Sequence, residues 1–254
     1  MGKLIKYEFR KDLSAYISVF AMLVAFELYV VISLLLKNDK HVGISSVLFI
    51  MFGVGGIGIV MLMGVISYTR ELGSKYSYMT FMLPRSTHQI VGAKYLTVLI
   101  VTVASTALYS VMLYLDMLLA QNVYVDQFRM VKLVDEFIKT ISGKGIADFA
   151  VALAVTVIGI WLNILVTVSF AYLSVTLSYS LLSGKKGKVS LAVLFFLVLR
   201  IVSYIGISKI PVFDYGQTFM EMIKGSWIVY LIEIIFVIGT YLGISEMLKK
   251  KVSL

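Results

Sequence analysis

Four ionisable side chains, Glu27, Asp116, Arg200 and Glu233, sit inside or near the ends of otherwise apolar stretches. An unpaired charge at mid-bilayer costs about 2.5–3.5 kcal/mol on insertion scales, so such residues usually meet a partner or face a wet pathway. Arg200 could pair with either Glu27 or Glu233. Alternatively, these three residues line a substrate pathway or move protons. Other chemistry has little to work with. The chain has no cysteine and only two histidines, His41 and His88, which excludes thiolate metal, iron–sulfur and disulfide frameworks and is too few for a histidine metal site. The carboxylates are scattered, so the clustered intramembrane site of a membrane protease is not expected, and neither a catalytic nor a metal-ligating set emerges.

Two glycine patterns resemble functional motifs. Gly53, Gly55 and Gly58 spell G-x-G-x-x-G, which cradles a pyrophosphate when it follows a strand and opens a helix. Here it lies with Gly56 and Gly64 inside an apolar run, where close helix packing or a locally flexible helix is the better reading. Gly239 and Gly243 form G-x-x-x-G, read as internal packing rather than a dimer face. The only Gly/Lys-rich run, Gly184-Lys185-Lys186-Gly187-Lys188, has neither the spacing nor the hydroxyl residue of a phosphate-binding loop, so the chain has no nucleotide site of that type.

The elements that must position these residues are membrane helices. Of 254 residues, 60% are hydrophobic and 15% charged, and the mean hydropathy is +0.95. A hydrocarbon core needs roughly 20 apolar residues of helix, because buried amides must be satisfied within the segment. Six stretches are long enough, at about 14–36, 42–68, 90–120, 147–180, 189–207 and 226–246. The fold class expected is an all-α integral membrane protein with one transmembrane domain over 1–254. The first stretch exceeds the length of a signal-peptide core and reads as a retained anchor.

Charge sets the orientation. The N-terminal segment, the second and fourth connections and the tail carry thirteen Lys or Arg against four acids, whereas the opposite side carries eight against seven. By the positive-inside rule both termini are cytoplasmic. The net charge of +9 is therefore topological and calls for no nucleic-acid partner. Residues 3–13 place Ile5, Phe9 and Leu13 on one helical face and Lys6 and Arg10 on another, the pattern of an interfacial elbow helix. An amphipathic external helix is expected around Phe128, Val131, Val134, Ile138 and Ile141, and a partly dipping segment around Pro211 and Asp214.

The most informative connection joins spans two and three. It runs Tyr68-Thr69-Arg70-Glu71-Leu72-Gly73, continues through Tyr76, Tyr78, Met79, Phe81 and Met82, and reaches Leu83-Pro84-Arg85-Ser86. Pro84 breaks the helix, and Ser86 with Gln89 fits an S-x-x-Q capping box that would open span three. A short helix with exposed aromatics, held between two membrane helices, has a shape suited to a soluble partner's groove. At these residues the sequence resembles the permease subunits of type-2 ATP-binding-cassette (ABC) exporters, in particular small bacterial permeases of peptide export or bacteriocin immunity. Those proteins have six spans, an N-terminal elbow, and a second connection with R-E-x-G, a coupling helix, L-P, a small polar pair and a lysine entering span three. Arg70, Glu71, Gly73, Leu83, Pro84 and Lys94 stand at the corresponding positions. The long charged segment between spans three and four departs from many members.

The resemblance implies a cytoplasmic coupling segment formed by Arg70, Glu71, Gly73, Tyr78, Phe81, Leu83 and Pro84. It also implies a second permease copy or related permease, two copies of a separate ATPase that binds ATP and Mg, and no cofactor on this chain. It implies a bacterial-type plasma membrane. Amphipathic or hydrophobic peptides are the expected cargo. The rival expectations are an ion-coupled secondary transporter using Glu27, Arg200 and Glu233, and a noncatalytic scaffold whose loop recruits a partner.

Overall fold

The computed structural model describes residues 2–73, 86–124, 146–182, 187–209 and 219–252. Among the described residues there are seven helices and no strand. A short α1 (Gly2–Lys11) leads into α2 (Leu13–Leu35), followed by α3 (Asp39–Gly73), α4 (Thr87–Val123), α5 (Ile146–Leu181), α6 (Lys188–Ser208) and α7 (Phe219–Val252). All but α1 contain a stretch long and apolar enough to cross a membrane. Several are longer than a bilayer requires: α4 has 37 residues, about 55 Å at 1.5 Å per residue, so it tilts or projects beyond the roughly 30 Å hydrocarbon core.

Local signals explain the boundaries. The backbone of Ser86 is extended, with φ −67° and ψ 145°, and its side chain accepts a hydrogen bond from the Gln89 amide, as the S-x-x-Q spacing predicts. Asp12 separates α1 from α2, and its carbonyl accepts from the amides of Ala15 and Tyr16. Gly187 begins α6 at φ +95°, a left-handed conformation that glycine adopts without steric cost. The expected helix around Phe128 to Ile141 and the dipping segment at Pro211 and Asp214 lie outside the described residues.

α4 is the hub and touches α1, α2, α3, α5 and α7. Two packed regions form around it. At one end Tyr68 of α3, Tyr95 and Val98 of α4, Tyr172 and Val175 of α5, Ala192 of α6 and Ile244 of α7 share one core. At the other, Leu23, Val30 and Leu34 of α2 pack with Phe49 of α3 and Tyr109 of α4. Lipid tails are as apolar as these side chains, so steric fit and polar contacts hold the helices together more than hydrophobic burial does. The fit depends on selected glycines. A Cβ on Gly64 would come within 2.6 Å of Val98 Cγ2, and one on Gly53 would run into the Tyr109 ring.

Not every glycine serves such a contact. Above Gly55, Gly58, Gly239 and Gly243 a Cβ would meet nothing within 4 Å. The G-x-x-x-G of α7 therefore does not mediate internal packing, contrary to the expectation from its spacing: its glycines face away from the neighbouring helices. The contrast gives a direct test by thermal unfolding in detergent. Gly64→Ala should cost about 1–3 kcal/mol through overpacking against the stiff β-branched Val98, with partial recovery in the Gly64→Ala/Val98→Ala pair. Gly239→Ala should cost nothing.

Candidate functional site

The strongest polar constellation among the described residues lies where α1, α3 and α4 meet. Lys94 enters this junction two turns into α4, and its side chain is only 4% exposed. Its Nζ donates to Glu8 Oε1 of α1 at 2.7 Å and is ion-paired with Glu71 Oε2 at the end of α3. Lys11 Nζ donates to the other oxygen of Glu71 at 2.5 Å. Among the described residues, two ammonium groups and two carboxylates thus form one network across three helices. Burial pushes the Glu8 carboxyl above the ordinary carboxylate range; the Lys94 charge opposes that shift and the negative charge of Glu71 adds to it.

The sequence positions these groups through helical phase. On α1, Glu8 faces inward while Tyr7 and Phe9 are 60% and 40% exposed, so the helix presents a carboxylate to the protein and aromatic rings to the outside. On α3, Ser67, Tyr68 and Glu71 occupy the buried face and Arg70 the exposed one. The network rests on a tyrosine layer. Tyr68 and Tyr172 rings lie 4.5 Å apart, and Tyr95 meets Tyr172 edge-on at 5.3 Å, separations at which aromatic pairs attract. The Tyr68 hydroxyl is 2.6 Å from Thr176 Oγ1, and Tyr241 of α7 donates to the His88 carbonyl near the start of α4. Polar contacts from α5 and α7 therefore reach the same end of the bundle.

Of the residues predicted for the coupling segment, Arg70, Glu71 and Gly73 form the last turn of α3, and Gly73 packs against the Tyr179 hydroxyl, which a Cβ there would approach at 3.0 Å. Tyr78, Phe81, Leu83 and Pro84 lie outside the described residues. The predicted intramembrane residues fall into two groups. Arg200 and Glu233 are linked through Asn163, whose amide donates to Glu233 Oε1 at 3.0 Å and whose oxygen accepts from Arg200 at 3.3 Å. Glu27 belongs to α2 and has Asp116 of α4 as its neighbour.

Sequence reasoning missed Glu8, Lys11 and Asn163. Glu8 was readable only as one acid in a basic flank, and its tie to Lys94 spans 86 positions. The available signal was Lys94 itself, a lone cation in the first turns of a membrane helix that must find a carboxylate.

Between α3, α5 and α6 runs a groove of about 920 Å³ with apolar walls and Arg70 on its lining. A smaller polar cleft beside the ion network is lined by Glu8, Asp12, Tyr16, Ser67, Lys94 and Thr97, among others.

Removing one partner from a buried ion network leaves an uncompensated charge, whereas neutralising the whole network can be nearly neutral for stability. Lys94→Met should therefore lose about 3–5 kcal/mol in detergent unfolding. The Lys94→Met/Glu8→Gln/Glu71→Gln triple variant should recover most of that loss. Equal stability of the single variant and the unaltered chain would show that the network carries no structural weight.

Residues 9–134, close to half of the chain, match the family model described as ABC-2 family transporter protein. No curated protein and no solved structure matches the chain. The matched stretch takes in Lys11, Glu71, Lys94 and the connection between α3 and α4, the region where the sequence resembles type-2 permeases. With six apolar helices able to cross a bilayer, the chain is a multi-pass membrane protein whose residues 9–134 are similar to the ABC-2 transporter family.

Proposed function

We propose that the chain is the membrane-spanning subunit of an ATP-driven exporter in a bacterial-type plasma membrane, working with a second permease and two copies of a separate ATPase. Both termini face the cytoplasm, and α1 lies as an elbow along the membrane surface. The ATPase binds the ATP and Mg, and this chain carries no nucleotide site. The connection from Glu71 to Leu83-Pro84 is the docking element. The carrying observation is the ion network: Glu71 precedes the connection, Lys94 follows it, and they are paired with each other and with α1. A load applied to the connection therefore reaches α1, α3 and α4 together, because moving one helix alone would strand a buried charge.

Amphipathic or hydrophobic peptides are the cargo this reading favours. A chain with 13 Met, whose unbranched side chains adapt to varied partners, supports it. The test is peptide efflux from vesicles holding the assembled complex. ATP-dependent loss of an amphipathic peptide is expected, and efflux indifferent to both ATP and peptide would sink the peptide assignment.

The exporter assignment has its own measurement. Purified from its native membrane in mild detergent, the chain should carry a stoichiometric soluble protein with a phosphate-binding GxxxxGK[ST] loop, identified by mass spectrometry. A folded sample with no such partner would overturn it. Within the complex, Glu71→Gln should insert normally and retain ATP turnover while losing most transport per ATP; an unchanged ratio would contradict the assigned role of Glu71.

A further inference from the structure

The groove between α3, α5 and α6 has a second property, independent of cargo: one of its ends is basic. Its length is greasy, lined by Ile59, Leu62, Val168, Ala171, Val193 and Phe196. On the α3 side it is kept deep by Gly55 and Gly58, above which a Cβ would meet nothing within 4 Å. From Gly55 to Arg70 the helix advances about 22 Å at 1.5 Å per residue, more than one leaflet's half of the roughly 30 Å hydrocarbon core. Near Arg70, the Gly73 backbone packs on Tyr179, and Lys188 Nζ lies 4.9 Å from the Tyr179 ring centroid. Among the described residues neither Arg70 nor Lys188 has a carboxylate within ion-pair distance. Helix α6 also begins here, without a side-chain cap on its first amides, so its partial positive charge adds to the two cations.

We infer that this groove holds one anionic phospholipid, its acyl chain lying along Gly55 and Gly58 and its phosphate between Arg70 and Lys188. The charge pattern selects this occupant. A zwitterionic lipid brings its own cation to a cationic rim. A second copy of the chain brings a like-charged end, since Glu8 and Glu71 at that end are already engaged with Lys94 and Lys11. An anionic headgroup near exposed Lys or Arg gains about 1 kcal/mol per basic residue, or roughly fivefold in affinity.

The test uses the full chain, purified in detergent, stripped of lipid and titrated with dioleoylphosphatidylglycerol or dioleoylphosphatidylcholine under native mass spectrometry. The first phosphatidylglycerol should bind at least about fivefold more tightly than phosphatidylcholine, and Arg70→Gln and Lys188→Gln should each remove about fivefold of that affinity. Gly58→Leu, which fills the groove where the chain leaves open space, should abolish the first tight adduct. Equal affinity for the two lipids, or unchanged phosphatidylglycerol affinity in both charge variants, overturns the inference. So does a Gly58→Leu variant that separates a dimer into monomers while its lipid adduct persists, because the face would then belong to a second copy. Arg70 and Lys188 are not buried, so their variants carry the test if Gly58→Leu does not fold.

Discussion

A single buried ammonium organises one end of this protein. Lys94 is held in the first turns of a membrane helix, where an unpaired cation is costly, and it is compensated from two directions by Glu8 and Glu71. The consequence is mechanical as much as energetic. α1, the end of α3 and the beginning of α4 share their charges, so none of the three can be displaced alone without exposing or stranding an ion. Replacement of such a network by apolar residues is often tolerated for stability. Its distinctive contribution in this bundle is to fix one relative placement of three helices.

The tyrosine layer beneath extends that placement to the rest of the bundle. Tyr68, Tyr95, Tyr172 and Tyr241 come from α3, α4, α5 and α7, and their rings contact one another in sequence. In lipid, where apolar packing gives little net driving force, contacts that combine ring geometry with hydroxyl hydrogen bonds are a means by which helices select their neighbours. The opposite end relies on steric fit around Phe49 and Tyr109 and on the Ser33–Ser45 hydroxyl contact at 2.8 Å between α2 and α3. The polar end, next to the connection between α3 and α4, is thus the one tied across the larger number of helices.

How far the sequence reveals this follows from the range of each interaction. The membrane spans are legible because hydrocarbon demands long apolar runs, and the start of α4 is legible because Ser86 and Gln89 are three residues apart and act locally. The residues flanking the connection are legible by pattern, through Arg70, Glu71, Gly73 and Lys94. The ion network is not, because Glu8 and Lys94 meet across most of the first three long helices and nothing near Glu8 marks it as inward-facing. The link between Arg200 and Glu233 is hidden as well: the sequence allows a direct pair, but Asn163, a polar residue in an apolar run, bridges them instead. Glycine spacing was the least reliable guide, since the same residue type packs tightly at Gly64 and faces open space at Gly58 and Gly243.

On the proposed reading, an ATPase engages the chain at the connection between α3 and α4. The protein contains no cysteine, so Phe81→Cys introduces a single thiol into that connection without further changes. Thiol-directed cross-linking of this variant in native membranes should yield one dominant adduct with an ATP-binding soluble protein, and its yield should change when nucleotide is added. A thiol at position 81 that is freely labelled, forms no such adduct and responds to no nucleotide, in a variant that inserts and folds normally, would contradict the account.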